Sequence, residues 1–269
     1  MAELWLRLLG RTGLEVSALG ASGNYGLGPA DVVRAYHELG VRYFHVAASI
    51  APGIRELVEQ GHRDRLVIGA GTMASGARAI RDAWAAEAQA LRVDVIDVWH
   101  LYFVRTRFGV RAGVWEEMRR LKQEGRVRAL AISCHDRRLA RRLADELDLD
   151  ALMIRYNAAH RGAEQDIFET LPPSPARPGV VAYTATRWGR LLRPAGGLPG
   201  MTAPECYRFA LSHPQVDVVL CGAGSYAELR DAALGVAAGP LPPERMAEVH
   251  RLGDAVRGGL TGRIGFWGR

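Results

Sequence analysis

Short apolar runs alternate along the chain with longer segments whose apolar residues recur at helical spacing. Leu4 to Leu9, the turn Gly10-Arg11-Thr12-Gly13, and Leu14 to Val16 read as a β-hairpin. Ser17 to Ala21 follows as a buried strand and ends in the loop Ser22-Gly23-Asn24-Tyr25-Gly26. Pro29 to Leu39 has a helical pattern, Gly40 stops it, and Val41 to Ile50 (VRYFHVAASI) reads as a second buried strand that loosens after His45. Further strands are expected over 66–70, 95–103, 127–133, 151–156, 179–183 and 216–221. Helices are expected over 52–61, 77–91, 114–124, 137–147, 164–171, 203–212 and 226–234, with another appended over 244–256. The clearest is 77–91, where Ile80, Trp84, Ala88 and Leu91 share one face.

Strands alternating with helices through short connections predict an α/β fold of the (β/α)8 TIM-barrel type. The hairpin precedes this barrel and one helix follows it. No shift in composition divides residues 1–269 into more than one domain. A doubly wound sheet is the alternative, but GASGNYG lacks the spacing and the downstream acid of a dinucleotide-binding turn. In either architecture the loops after the strands build the site. His45 stands at such a strand end.

With 48% hydrophobic and 24% charged residues in 269, the composition is that of a soluble globular protein. No apolar run approaches the ~20 residues that span a bilayer. The opening MAELWLRLLGR lacks the layout of a signal peptide, so a cytoplasmic location is expected. Cys134, Cys206 and Cys221 are scattered, so neither a metal site nor a disulfide framework is expected. The net charge of +6 raises the question of nucleic acid. The basic residues are interleaved with acids, as in RDRLVIG and RRLADELD, which is the pattern of solvated helix faces. The expected partner is a small-molecule substrate, with no nucleic acid and no membrane; the oligomeric state is left open. Of the 35 basic residues only Lys122 is a lysine. Any mechanism that needs a lysine must use Lys122.

Several segments together resemble the aldo-keto reductase superfamily. LGRTGLEVSALG is similar to its N-terminal hairpin and first strand, LRVDVIDVWHLY to its fourth strand, and LKQEGRVRALAIS to the helix and strand before its Ser-Asn pair. VVAYTATRWGRLL resembles its seventh strand and cofactor loop, and HPQVDVVLCGAGSYAELRDA its eighth strand and phosphate loop. The resemblance implies a nicotinamide-dependent carbonyl reductase with an Asp, Tyr, Lys, His tetrad. At those positions this chain carries His45, Ile50, Gly71 and Tyr102. Among cofactor positions, Ser133 and Tyr183 match, Tyr183 as the aromatic that stacks on nicotinamide. Cys134 replaces the asparagine, Met153 the glutamine, and Gly224 the basic residue of the phosphate loop, with acidic Glu228 nearby. Arg187 or Arg190 would supply substitute charge from the neighbouring loop, and Ser225 belongs to the phosphate loop. The cofactor is therefore expected to be NADP(H) or none.

A new polar set in the same mouth is the sharper reading. His45 and Tyr102 are the candidate catalytic pair, since histidine titrates near neutrality and a paired tyrosine donates protons. His100 lies two residues earlier on the same side of its strand, and His45 and His100 read equally as hydrogen-bonded core histidines. Candidate substrate-binding residues are Asn24, Tyr25, His100, Arg155, Asn157 and Trp188; Ser133, Tyr183, Arg187 and Ser225 bind cofactor only if NAD(P)H is retained. Arg155 or Arg161 suits an anionic group, or belongs to a salt-bridged rim. Asp136 reads as an N-cap.

Three functions follow. One is non-redox acid–base chemistry (dehydration, isomerisation or cyclisation) with an arginine steadying negative charge. The second is an atypical NAD(P)H-dependent oxidoreductase acting on a carbonyl or imine. The third is a non-catalytic regulatory or binding protein. The first is preferred because the cofactor contacts change together with the tetrad.

Overall fold

The computed structural model describes residues 4–259. Strands β1 (Leu6–Leu8) and β2 (Glu15–Ser17) form the antiparallel hairpin. The chain then alternates β3 (Leu19–Ser22), α1 (Pro29–Leu39), β4 (Tyr43–His45), α2 (Ala51–Glu59), β5 (Val67–Thr72) and α3 (Ala77–Leu91). It continues through β6 (Ile96–Val104), α4 (Ala112–Gln123), β7 (Val127–Cys134), α5 (Arg137–Glu146), β8 (Ala151–Arg155) and α6 (Ala163–Asp166). The last elements are β9 (Gly179–Tyr183), α7 (Ala203–Leu211), β10 (Val218–Cys221), α8 (Tyr226–Ala237) and α9 (Pro243–Gly258). Strands β3 to β10 pair in parallel and close on themselves, β10 returning to β3, so the expected (β/α)8 barrel is the fold.

Alternation along each strand sorts the side chains. Phe44, Ile68, Trp99, Leu130, Ile132, Leu152, Ile154 and Val219 point outward into the layer beneath the helices. Tyr43, Val67, Val98, Ala131, Met153, Val181 and Val218 fill the barrel interior, and the hairpin residues Leu9, Leu14 and Val16 join them from below. The hairpin therefore plugs the end of the barrel away from the strand C-termini.

That lower end is held by buried and half-buried carboxylates at strand beginnings. Asp217 receives two 2.7 Å bonds from the Arg177 guanidinium and a third from the Val180 amide. Asp97 pairs with Arg63 and Arg128. Asp150 receives the Lys122 ammonium and the Leu130 amide. The single lysine thus lies at the opposite end from the mouth, as its position before the fifth barrel strand predicts.

Two elements differ from the sequence reading. The strand expected over 41–50 is cut to Tyr43–His45, because Ala47 already accepts turn bonds from Ile50 and Ala51 that start α2. The helix expected over 164–171 breaks into α6 and a separate turn at Phe168–Thr170. Among the described residues no helix is long and apolar enough to cross a membrane.

Candidate active site

The inward phase of each strand, carried to its C-terminal end, selects the groups at the mouth. Strand β4 ends in His45, β5 in Gly69 and Gly71, and β6 in His100 and Tyr102. Strand β7 contributes Ser133, β8 Arg155 and β9 Tyr183. His45 Nε2 and the Tyr102 hydroxyl share a 2.8 Å hydrogen bond. The two belong to β4 and β6, so they meet above β5, where only glycines stand. A Cβ on Gly69 would lie 2.6 Å from the Tyr43 hydroxyl and 3.1 Å from His45 Nδ1. The Gly-x-Gly phase of β5 is thus what lets the imidazole reach the phenol.

His100 sits below this pair, fully buried, with its ring 5.1 Å from that of His45 and 5.8 Å from that of Tyr102. Its Nδ1 lies 3.1 Å from the Ala70 carbonyl. A carbonyl only accepts, so Nδ1 carries the proton and Nε2 keeps a lone pair. His100 Nε2, His45 Nδ1 and the Tyr43 hydroxyl have no protein partner among the described residues. Burial, then the neighbouring His100, pushes His45 well below the ordinary histidine range, and burial brings His100 to about 4. Burial, with a contribution from Glu87, raises Tyr102. At neutral pH the imidazoles and the phenol are all uncharged.

A second His–Tyr pair occupies the other side. Tyr183 Oη lies 3.2 Å from His135 Nδ1, so β9 reaches over β8 to the residue that follows β7. Arg155 is the residue in register with Tyr183 on β8, the strand between β7 and β9. Burial raises Tyr183 to about 12 against the opposing charge of Arg155, whereas burial and Arg155 both lower His135. The sequence reading assigned no role to His135. Its signal was the alternation that places Ser133 inward and therefore His135 inward too. Cys134 points outward, and its thiol donates to the Asp136 carbonyl. The Asp136 carboxylate accepts from the Leu139 amide, which makes it the predicted N-cap of α5.

The remaining candidates are distributed around the rim. Ser133 is buried, with its hydroxyl 3.4 Å from the Phe103 amide. Asn157 is fully buried and its amide is spent: Nδ2 donates to Thr184, and Oδ1 faces the Ala159 amide and His160 Nδ1. It braces two loops from below and does not open into the mouth. Arg161 pairs with Asp254 and donates to the Ala158 and His250 carbonyls, so it is rim structure. Trp188 is 66% exposed in the turn after β9, while Arg187 beside it is 7% exposed. Asn24 and Tyr25 project from the loop after β3, and a Cβ on Gly222 would lie 2.6 Å from the Tyr25 ring. Ser225 caps α8 by accepting from Glu228, and the Glu228 carboxylate turns back to accept the Gly224 amide at 2.8 Å. A groove of about 390 Å³ lies beside α9, lined by Arg161, Glu164, His250 and Arg257 among others, and does not include His45 or Tyr102.

This geometry can be set beside known proteins. The aldo/keto reductase family model matches residues 30–193, and the chain belongs to that family. An aldo-keto reductase from Bacillus halodurans, in its holo form, superimposes with a TM-score of 0.77 at 21% identity, covering 93% of this chain and 96% of that one. A Pseudomonas aeruginosa protein assigned to the aldo-keto reductases gives a TM-score of 0.68 at 19% identity, covering 87% and 95%. At such identity these likenesses establish the fold. No curated protein sequence matches the chain.

Proposed function

We propose that the protein is a small-molecule enzyme that carries out non-redox acid–base chemistry in the barrel mouth, with His45 and Tyr102 as the proton-transferring pair. The observation that carries this reading is the 2.8 Å bond between His45 Nε2 and Tyr102 Oη. Both groups are pushed toward their neutral forms by burial. A neutral phenol and a neutral imidazole that share a proton suit bifunctional transfer, in which one proton is delivered as another is taken. Such transfer fits an isomerisation or a dehydration, where no lasting charge has to build up on the enzyme.

The phosphate loop supports the same reading. The amide of Gly224, at the start of α8, would be a natural donor to a phosphate. Here it is taken by the enzyme's own Glu228 carboxylate. A negative charge at that place does not fit the 2′-phosphate of NADPH. With Gly71, Cys134 and Met153 at the other positions, the residues present do not fit a nicotinamide dinucleotide.

The test is solvent deuterium exchange into a panel of enolisable carbonyl compounds, followed by proton NMR, together with calorimetry of NADPH and NADH. The reading expects exchange that disappears in H45A and Y102F, and no cofactor binding at millimolar concentration. Hydride transfer from NADPH to any carbonyl would overturn its non-redox part. Family membership, with Tyr183 and Ser133 facing the mouth, favours a second reading as an oxidoreductase. That outcome would establish it.

A further inference from the structure

Below the His45–Tyr102 bond, three polar atoms from β4 and β6 are buried around the bare backbone of Gly69. His45 Nδ1, the Tyr43 hydroxyl and His100 Nε2 are each shut off from water, and each lacks a partner among the described residues. One point, where a Cβ on Gly69 would stand, is 2.6 Å from Tyr43 Oη and 3.1 Å from His45 Nδ1. The His45 and His100 rings meet nearly at right angles with their centroids 5.1 Å apart. The barrel interior they share is otherwise apolar, with Val67, Val98, Val181 and Val218 among its residues.

A backbone carbonyl fixes the direction of this set. The Ala70 carbonyl, 3.1 Å from His100 Nδ1, can only accept, so the one proton of neutral His100 sits on Nδ1. Nε2 therefore needs a donor. The neighbours able to supply one are the Tyr43 hydroxyl and His45 Nδ1, the latter only when it carries a proton. With the His45 proton on Nε2, two buried lone pairs, at His45 Nδ1 and His100 Nε2, would compete for the single Tyr43 proton. One of them would go unsatisfied, which is costly in a buried site. With the proton on Nδ1, His45 donates to His100 Nε2 or to Tyr43 Oη, and in the second case the Tyr43 proton serves His100. No nitrogen is then left without a hydrogen-bonding proton. His45 Nε2 is an acceptor, and the Tyr102 hydroxyl is the donor in the 2.8 Å bond.

We infer that His100 is a positioning residue: it holds the His45 proton on Nδ1, which turns the Tyr102 hydroxyl inward and leaves the Tyr102 oxygen to face the mouth as a proton acceptor. This role deepens the acid–base reading and rests on it for its chemical consequence. A substrate C–H bond breaks as its proton bonds to the Tyr102 oxygen, and the electron pair stays on the substrate as an enolate. The proton already on Tyr102 passes to His45 Nε2. His45 becomes a cation whose Nδ1–H bond to the inner acceptor strengthens with the charge. Return of the proton by the same path to another atom of the substrate restores the neutral pair. The pair takes a proton before it gives one, so the substrate class is a carbonyl compound with an acidic C–H beside the carbonyl.

Nitrogen-15 NMR of the labelled full chain at pH 7, without substrate, reads the tautomers. His45 should carry its proton on Nδ1 in the wild type. H100L removes the inner acceptor; Tyr43 alone satisfies either tautomer, so the Nε2 form that isolated histidine favours should appear. H100Q, whose amide can donate to the Ala70 carbonyl and accept from His45, should restore the Nδ1 form. Deuterium exchange into enolisable carbonyl compounds should fall at least tenfold in H100L and be largely recovered in H100Q. Nε2 protonation in the wild type, an unchanged tautomer in H100L, or wild-type exchange in H100L would each overturn the role of His100. The wild-type spectrum needs no variant, so it decides the matter even where H100L does not fold. A wild type that exchanges no deuterium would remove the acid–base reading, while the tautomers would still decide whether His100 positions His45.

Discussion

His45 and Tyr102 bond to each other across an intervening strand that presents no side chain between them. Their 2.8 Å contact depends as much on Gly69 as on either partner. Removing the phenol oxygen should therefore have two separable effects. Y102F leaves His45 Nε2 buried without a partner, which should cost about 1–3 kcal/mol in urea denaturation. If the pair moves protons as proposed, deuterium exchange should fall by about 10²–10⁴-fold in the same variant. A drop in stability with unchanged exchange would reduce the pair to a structural role.

Gly69→Ala tests the room above β5. The new methyl would crowd Tyr43 and His45, and overpacking of this kind typically costs about 1–3 kcal/mol. Because the crowded atoms belong to the pair itself, exchange should fall further than the loss of stability explains. Equal activity after correction for the folded fraction would show that the pair tolerates displacement.

Stability should decline on mild acidification. Burial lowers both His45 and His100, so the unfolded chain takes up protons first as the pH falls below the ordinary histidine value of 6.5. Folding is then opposed by up to about 1.4 kcal/mol per pH unit for each such histidine. The contribution of His100 is fully present above pH 6.5, is lost on the way down to about 4, and is level below that. Nitrogen NMR should find the His100 ring neutral at pH 5 and protonated only in the unfolded protein. A midpoint near 6.5 in the folded protein would contradict this.

The lower end of the barrel offers a stability test remote from the mouth. Asp217→Asn breaks a buried pair with Arg177 and leaves that guanidinium uncompensated. Loss of one partner of such a pair typically costs about 3–5 kcal/mol. The denaturation midpoint should fall accordingly, while deuterium exchange by the residual folded protein should be unchanged.

Much of the barrel was legible because its elements carry their own punctuation. Gly28-Pro29 opens α1 and left-handed Gly40 closes it, and the apolar face of α3 repeats cleanly up to Leu91. The tail of VRYFHVAASI was less legible, since Ala47 to Ile50 suit a turn as well as a strand end. The mouth was legible in part as inward strand ends, which is how His45 and Tyr102 were found, whereas Tyr183 came from the family resemblance and Arg155 from a charge suited to an anion. What a sequence does not tell is whether a polar group is already spent. Asn157 and Ser225 look like ligand-binding residues, yet their side chains are committed to loop and helix bonds. Arg161 and Arg155 look alike until their partners are counted, and only one has an acid. His135 went unassigned because the adjacent Cys134 points to the other side of the strand, so the two need not meet.

Gly71 carries a different kind of message. A Cβ on it would press into the carbonyl of His100 on the neighbouring strand. The place where the family resemblance expects a lysine has thus closed around a residue with no side chain. Reinstating the lysine by itself would force β5 and β6 apart before its ammonium could do any chemistry. A side chain at this position first meets backbone, which cannot rotate away as a neighbouring side chain can. Placing a lysine at this point of the barrel would have to begin with the spacing of two strands and only then turn to the identity of any catalytic residue.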